Sequence, residues 1–409
     1  MAKWISKNWW VSPLNFLEEV QKNFNLPNKV VIHDITLRDG EQQAGIVFNK
    51  KDKIEIARML DEVGVHRIEA GMPAVSREDK EAVKAIAHEG LNVKVFCFAR
   101  CMKRDVDLAL ECDVDGIAME IPSSEHLIRY AYEWPLEKAV DLSVEATSYA
   151  AKHGLHVAFF TIDGTRADLK WWFSLVDKVA TEGHMDSLVL VDTFGVCNPE
   201  AIRYLTRKAR DHFSKPLEAH FHNDFGLAVA NTLAAVTEGA EIIHTTVNGI
   251  GERMGNADLA EVALALEALY GVKLDLKYNK LYKLSKLVER LSGVKMPPHK
   301  AVVGDGAFKV ESGIIAGWWK NLGKHNKPLV MFPYLWNLVG QKEVKILLGK
   351  KSGRDSILFK LKELGIDLST LDENKIDKIL DEVKEESIKR KSPISEEVLR
   401  QILQRNCYL

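Results

Sequence analysis

The chain has 409 residues, 46% of them hydrophobic and 28% charged, and a formal net charge of −2. That length exceeds what one hydrophobic core usually supports, so a large domain with smaller attached material is expected. The near-neutral balance leaves no electrostatic footprint for nucleic acid or a membrane surface, and the absence of a signal-like apolar run or any window of about 18 apolar residues points to the cytoplasm.

The first apolar run, "KVVIHDIT", opens at residue 29 and leads straight into Arg38 and Asp39, so a strand end carries a charged pair followed by Gly40. "VHRIEAG", "VKVFCFA", "DGIAMEI", "LHVAFFT", "DSLVLVD", "PLEAHFH" and "EIIHTTV" follow in order. Each is too short for a buried helix, and each is succeeded by an amphipathic stretch such as "KKDKIEIARMLDEVG". Eight such units between about residues 29 and 270 predict an α/β protein, a (β/α)8 TIM barrel with its chemistry at the C-terminal strand ends. An open, doubly wound sheet fits less well, because no strand leads into a GxGxxG loop. After "LYKLSKLVERLSGVKMPPHK" the alternation stops. The domain reading is an N-terminal segment over 1–28, the catalytic barrel over 29–290, and post-barrel subdomains with C-terminal helices over 291–409.

On a strand, residues i and i+2 share a face, so "HFHND" sends His220 and His222 into the barrel and Phe221 outward. Barrel closure brings Asp39, at the mouth of the first strand, beside the seventh and eighth. Two imidazoles and a carboxylate suit a divalent cation such as Mn²⁺, Mg²⁺, Zn²⁺ or Fe²⁺. The cysteines at 97, 101, 112, 197 and 407 form no CxxC pair and read as reduced thiols.

"LRDGEQ", "VDTFG", "HFHNDFGLAVANT" and "NGIGERMGN", in this order at the ends of strands 1, 6, 7 and 8, resemble one family of metal-dependent enzymes. It makes and breaks carbon–carbon bonds and includes isopropylmalate, homocitrate and citramalate synthases and hydroxymethylglutaryl-CoA lyase. The resemblance implies that Asp39, His220 and His222 bind the metal, with Asn256 a further ligand or near neighbour. It implies that Arg38 stabilises the oxygen that gains charge, that Thr193 hydrogen-bonds the substrate carboxylate, and that Gln42 and Glu69 line the site. Glu69 has a second reading as the carboxylate that orients Arg38, and Glu311 of the Glu-Ser-Gly segment joins Arg38 and Glu69 in the catalytic set. "GIGERMGN", "HKAVVGDGAFKVESGI" and "LGKKSGRDSI" are similar to the condensing branch. That implies a Claisen-type condensation of an acyl-CoA, acetyl-CoA foremost, with a 2-oxo acid, in a homodimer.

The departures from the family pattern concern the substrate. Val310 and Ile315 stand where the family carries histidines around Glu-Ser-Gly, and Ile162 stands where it carries a Glu. Phe98 replaces the inward His of homocitrate synthase, Ala118 stands for an Asp, and Glu120 is an added inward carboxylate. Arg100 is placed to reach a distal substrate carboxylate or to cap a neighbouring helix. Phe98, Arg100 and Glu120 are therefore expected to line a pocket of altered specificity. The alternatives are a metal-dependent aldolase or lyase acting on a related hydroxy or oxo acid and, more remotely, a non-catalytic binding protein.

Overall fold

The computed structural model describes residues 3–366, 368 and 371–406, so Cys407 lies outside the described residues. The chain divides into two compact units, Pro13–Met296 and a second made of Met1–Ser12 with Pro297–Leu409. In the first, eight strands close a barrel in chain order. They are β1 (Val31–Asp34), β2 (Arg67–Glu69), β3 (Lys94–Arg100), β4 (Gly116–Pro122), β5 (His156–Ile162), β6 (Ser187–Asp192), β7 (Leu217–Phe221) and β8 (Ile242–Thr245). All neighbours are parallel, and β1 returns against β8 with His33 opposite His244. The eight apolar runs thus become the eight strands of a TIM barrel. Helices cover their outer faces, which is why β6 is buried at every position instead of alternating.

Local chemistry sets the helix boundaries. Asn49 accepts from the Lys51 and Asp52 amides while Asp52 reaches back to the Asn49 amide, a capping box opening the helix Lys50–Val63. Gly64, at φ 94°, closes it. Asn198 caps the helix Pro199–His212, where Pro199 fills a first-turn position that needs no donor.

The barrel interior is layered. Phe98, Ala118, Ala158, Phe160, Val189 and Val191 form one apolar cluster. The alanines make room for the two phenylalanine rings, which meet edge to face at 5.2 Å. Toward the N-terminal strand ends, Gly116 does the same for Phe96, since a Cβ there would lie 2.5 Å from that ring. Beside Phe96 sits a polar layer of His33, Glu218 and His244, all buried. The second unit holds a short parallel pair, β9 (Lys309–Val310) and β10 (Lys345–Ile346). Its core is Leu348, Ile357, Ile379, Val383, Leu399 and Ile402, supplied mainly by its C-terminal helices. Among the described residues no helix is long and apolar enough to cross a membrane.

Candidate active site

β1 leads into a tight turn over Thr36–Gly40 in which the Gly40 amide donates to the Ile35 carbonyl five residues back. Such π-turns recur at functional sites because they bend a strand end sharply inward. Asp34 accepts from the Thr36 amide, and the Thr36 hydroxyl accepts from the Val247 amide, which ties the turn to the loop after β8. Lys53, buried on the following helix, grips the turn from outside. Its ammonium lies 2.6 Å from Glu41, 2.7 Å from Asp79 and 3.3 Å from the Leu37 carbonyl.

The turn delivers Arg38 and Asp39 to the barrel mouth, both buried. Arg38 Nε donates to Glu69, Nη1 donates to Gln42 at 3.1 Å and lies 3.2 Å from Asp39, and the guanidinium rests 3.9 Å over the Phe98 ring. The Glu69 and Gln42 contacts and the ring immobilise a long side chain, while Nη2 is buried and has no hydrogen-bond partner. A fixed cation with one open donor is suited to receive an oxygen that gains charge. Glu69 has the geometry of the residue that orients Arg38, and Phe98 acts as a cation–π platform.

Beside it, His220 Nε2 lies 3.1 Å from Asp39 Oδ2, His222 Nε2 lies 3.7 Å from the same oxygen, and the two Nε2 atoms are 3.3 Å apart. Burial would raise the Asp39 carboxyl, but the Arg38 guanidinium and the two imidazoles hold it well below the ordinary carboxylate range. Burial holds both imidazoles below their usual value, furthest for His220. Neutral imidazoles beside an ionised carboxylate are the protonation states a divalent cation requires. Asn256 extends the set. Its Nδ2 is 3.4 Å from Asp39, and its Oδ1 is buried without a partner. An acceptor orphaned at this spot is accounted for by a cation, so the residues fit one. The loop is shaped for it, because a Cβ on Gly251 would collide with Asn256 Oδ1 at 2.0 Å and one on Gly255 with the Gly249 carbonyl at 1.8 Å. Both residues hold positive φ.

The remaining sequence candidates divide. Glu120, partly buried on β4, faces the charges of Arg38 and Arg100. Burial pushes its carboxyl up to about 7 against those charges. Arg100 donates to both oxygens of Asp105, at 2.8 and 2.9 Å, so its fork is engaged on the following helix, the capping alternative of the sequence reading. Thr193 accepts from the Asp163 amide at 2.8 Å, and its carbonyl accepts from Arg253, which also pairs with Asp224. Glu311 belongs to the second unit, where its carboxylate accepts from the Lys351 amide and faces the Lys351 ammonium. Sequence reasoning missed Lys53 and the polar layer beneath the site. Glu218 was legible, since it stands two residues before His220 on the same inward face.

The family model for the HMGL-like domain matches residues 29–288. The chain belongs to the HMGL-like family. A homocitrate synthase, AksA, from Methanopyrus kandleri is 41% identical over 95% of this chain and 96% of that one. A probable 2-isopropylmalate synthase from the same organism is 44% identical over 88% of this chain and 70% of its own length. Relatives named for two products stand within a few percent of each other, so overall identity does not select a substrate for this member of the HMGL-like family. Among solved structures, the HMG-CoA lyase of Bacillus subtilis superposes with a TM-score of 0.59 at 22% identity, covering 66% of this chain and 96% of that one, which speaks to the shared barrel alone.

Proposed function

We propose that this chain is a divalent-metal-dependent enzyme that condenses an acyl-CoA with a 2-oxo acid, and that its substrate pocket differs from those of homocitrate and isopropylmalate synthases. The observation that carries the reading is the buried, unpartnered Nη2 of Arg38 set beside a donor cluster of Asp39, His220, His222 and Asn256. A cation bound by those four residues would supply Lewis-acid polarisation of the 2-oxo group.

The protein's own residues do the rest. Arg38 Nη2 donates to the keto oxygen as it becomes an alkoxide, while Glu69, Gln42 and Phe98 keep the guanidinium from swinging away. The Thr193 hydroxyl, accepting from a backbone amide, keeps its proton to donate to the substrate carboxylate. In the condensation the acyl methyl carbon gives up a proton and bonds to the keto carbon as the carbonyl π bond opens, and the alkoxide so formed takes up a proton, so the addition is proton-neutral. Water then cleaves the thioester, releasing the CoA thiol and a carboxylate. Glu120 and Phe98 face the variable end of the 2-oxo acid. Once ionised, above about pH 7, Glu120 repels a second substrate carboxylate, which favours neutral, hydroxylated or cationic side chains over 2-oxoglutarate.

Thiol release from acetyl-CoA against a panel of 2-oxo acids tests this. Turnover is expected with an acid of the favoured class. Cleavage of a hydroxy or oxo acid with no thiol release from any panel member would replace the condensation with a lyase. Rapid turnover of 2-oxoglutarate would overturn the role given to Glu120, and rapid turnover of 2-oxoisovalerate would overturn the claim that the pocket differs from that of isopropylmalate synthases.

A further inference from the structure

We infer that Glu218 and His244 are positioning residues for the cation site, forming a directional hydrogen-bond chain that fixes the tautomer and aim of His220. The inference rests on the reading of His220 as a ligand. His220 Nδ1 lies 3.1 Å from His244 Nδ1, and His244 Nε2 lies 2.7 Å from Glu218 Oε2. Two Nδ1 atoms bond only if one bears a proton and the other does not. An ionised carboxylate is an acceptor only, so His244 Nε2 must be the protonated nitrogen, and with a neutral ring its Nδ1 accepts. When His220 Nε2, the atom turned toward Asp39 and His222, serves as a cation ligand, its lone pair must be free, so Nδ1 carries the proton and donates to His244.

The far end of the chain is anchored by charge. Arg67 Nη1 lies 3.0 Å from Glu218 Oε1, and the Ser187 hydroxyl donates to that same oxygen at 2.5 Å. Side chains from β2, β6 and β8 thus converge on the β7 carboxylate. Glu218 and His244 are at most 1% exposed, so no bulk water stands in for a lost link. His33, 3.8 Å from Glu218, is too far to hydrogen-bond, and both its ring nitrogens are unpartnered. The guanidinium already neutralising Glu218 makes the cluster of His33, Glu218 and His244 an anchor and not a second cation site. The two candidate ligands also differ, because His222 Nδ1 has no partner. Only His220 is held from behind.

The test uses the full-length chain in two measurements. The first is Mn²⁺ titration followed by electron paramagnetic resonance. Glu218→Gln, whose amide can donate and so permits the reversed tautomer, should weaken Mn²⁺ binding by about ten- to a hundredfold. His244→Phe should do the same, and His244→Asn, which restores an acceptor for His220 Nδ1, should recover part of the loss. The second is ¹⁵N NMR of histidine-labelled protein loaded with diamagnetic Mg²⁺, where His220 should carry its proton on Nδ1. Affinities of Glu218→Gln and His244→Phe within about twofold of the parent would overturn the inference, as would a proton on His220 Nε2. If His244→Phe does not fold, the isosteric Glu218→Gln decides. If the parent binds no Mn²⁺, the ligand reading itself fails, whereas parental binding with unchanged variants overturns the chain alone.

Discussion

Glu120→Gln removes a charge at the barrel mouth while keeping shape and hydrogen-bonding capacity. The Glu120 carboxyl is raised from 4.5 to about 7, chiefly by burial, with Arg38 and Arg100 opposing. The sign follows from proton counting. The folded chain keeps a proton that the unfolded chain releases, so the cost of this carboxyl is absent below the unfolded value, grows as pH rises, and levels off above the folded value. At about 1.4 kcal/mol per pH unit of difference, the cost is about 1 kcal/mol near pH 5.5 and about 3 kcal/mol near pH 8.5. The Gln variant carries none of it. In urea denaturation of the chelator-treated chain, the variant should therefore gain about 2 kcal/mol on the parent between those two conditions. Comparing parent with variant at each pH cancels every other titrating group they share. Parallel pH profiles for the two proteins would refute the reasoning, because they would mean that Glu120 is solvated and ionised in the folded state.

Two further outcomes are expected. Arg38→Lys should fold yet lose more than about a hundredfold in kcat, since a single ammonium nitrogen cannot reproduce the planar fork that reaches Glu69 and Gln42 and still aims a donor into the site, and such a donor is worth about 3 kcal/mol. Near-parental kcat would remove Arg38 from the chemistry. The double variant His220→Ala/His222→Ala should purify without stoichiometric divalent metal, and elemental analysis showing the parental content would displace the ligand assignment.

The barrel was legible because each strand is a short, branched or aromatic run and each helix follows with its own period. The neighbourhood of Arg38, Asp39, His220 and His222 was legible because strand periodicity and ring closure are both properties of order along the chain. Side-chain contacts between elements of the barrel were not. Lys53 reads as one more lysine on an amphipathic helix, and only the packing of that helix against Asp79 and Glu41 shows it gripping the Leu37 carbonyl. Arg100 could be read as a substrate contact or as a helix cap, and only the structure shows Asp105, at the start of the next helix, accepting from its Nε and Nη2. Phe98 read as a substituted pocket wall, and its stacking beneath Arg38 depends on how far β1 and β3 are turned toward the axis.

The pairing of β1 with β8 has a consequence for how the protein reaches and leaves its folded state. Asp39 and Asn256 meet across 217 residues of sequence, so their approach requires one of the longest loop closures in the barrel. Such distant pairings form late, which means that a cation held by these residues cannot nucleate the fold. It would bind once the ring has joined, and it would then have to be surrendered before the β1–β8 seam could part. A cation bound by these residues would therefore slow unfolding and leave the folding rate nearly untouched, a latch across the β1–β8 seam.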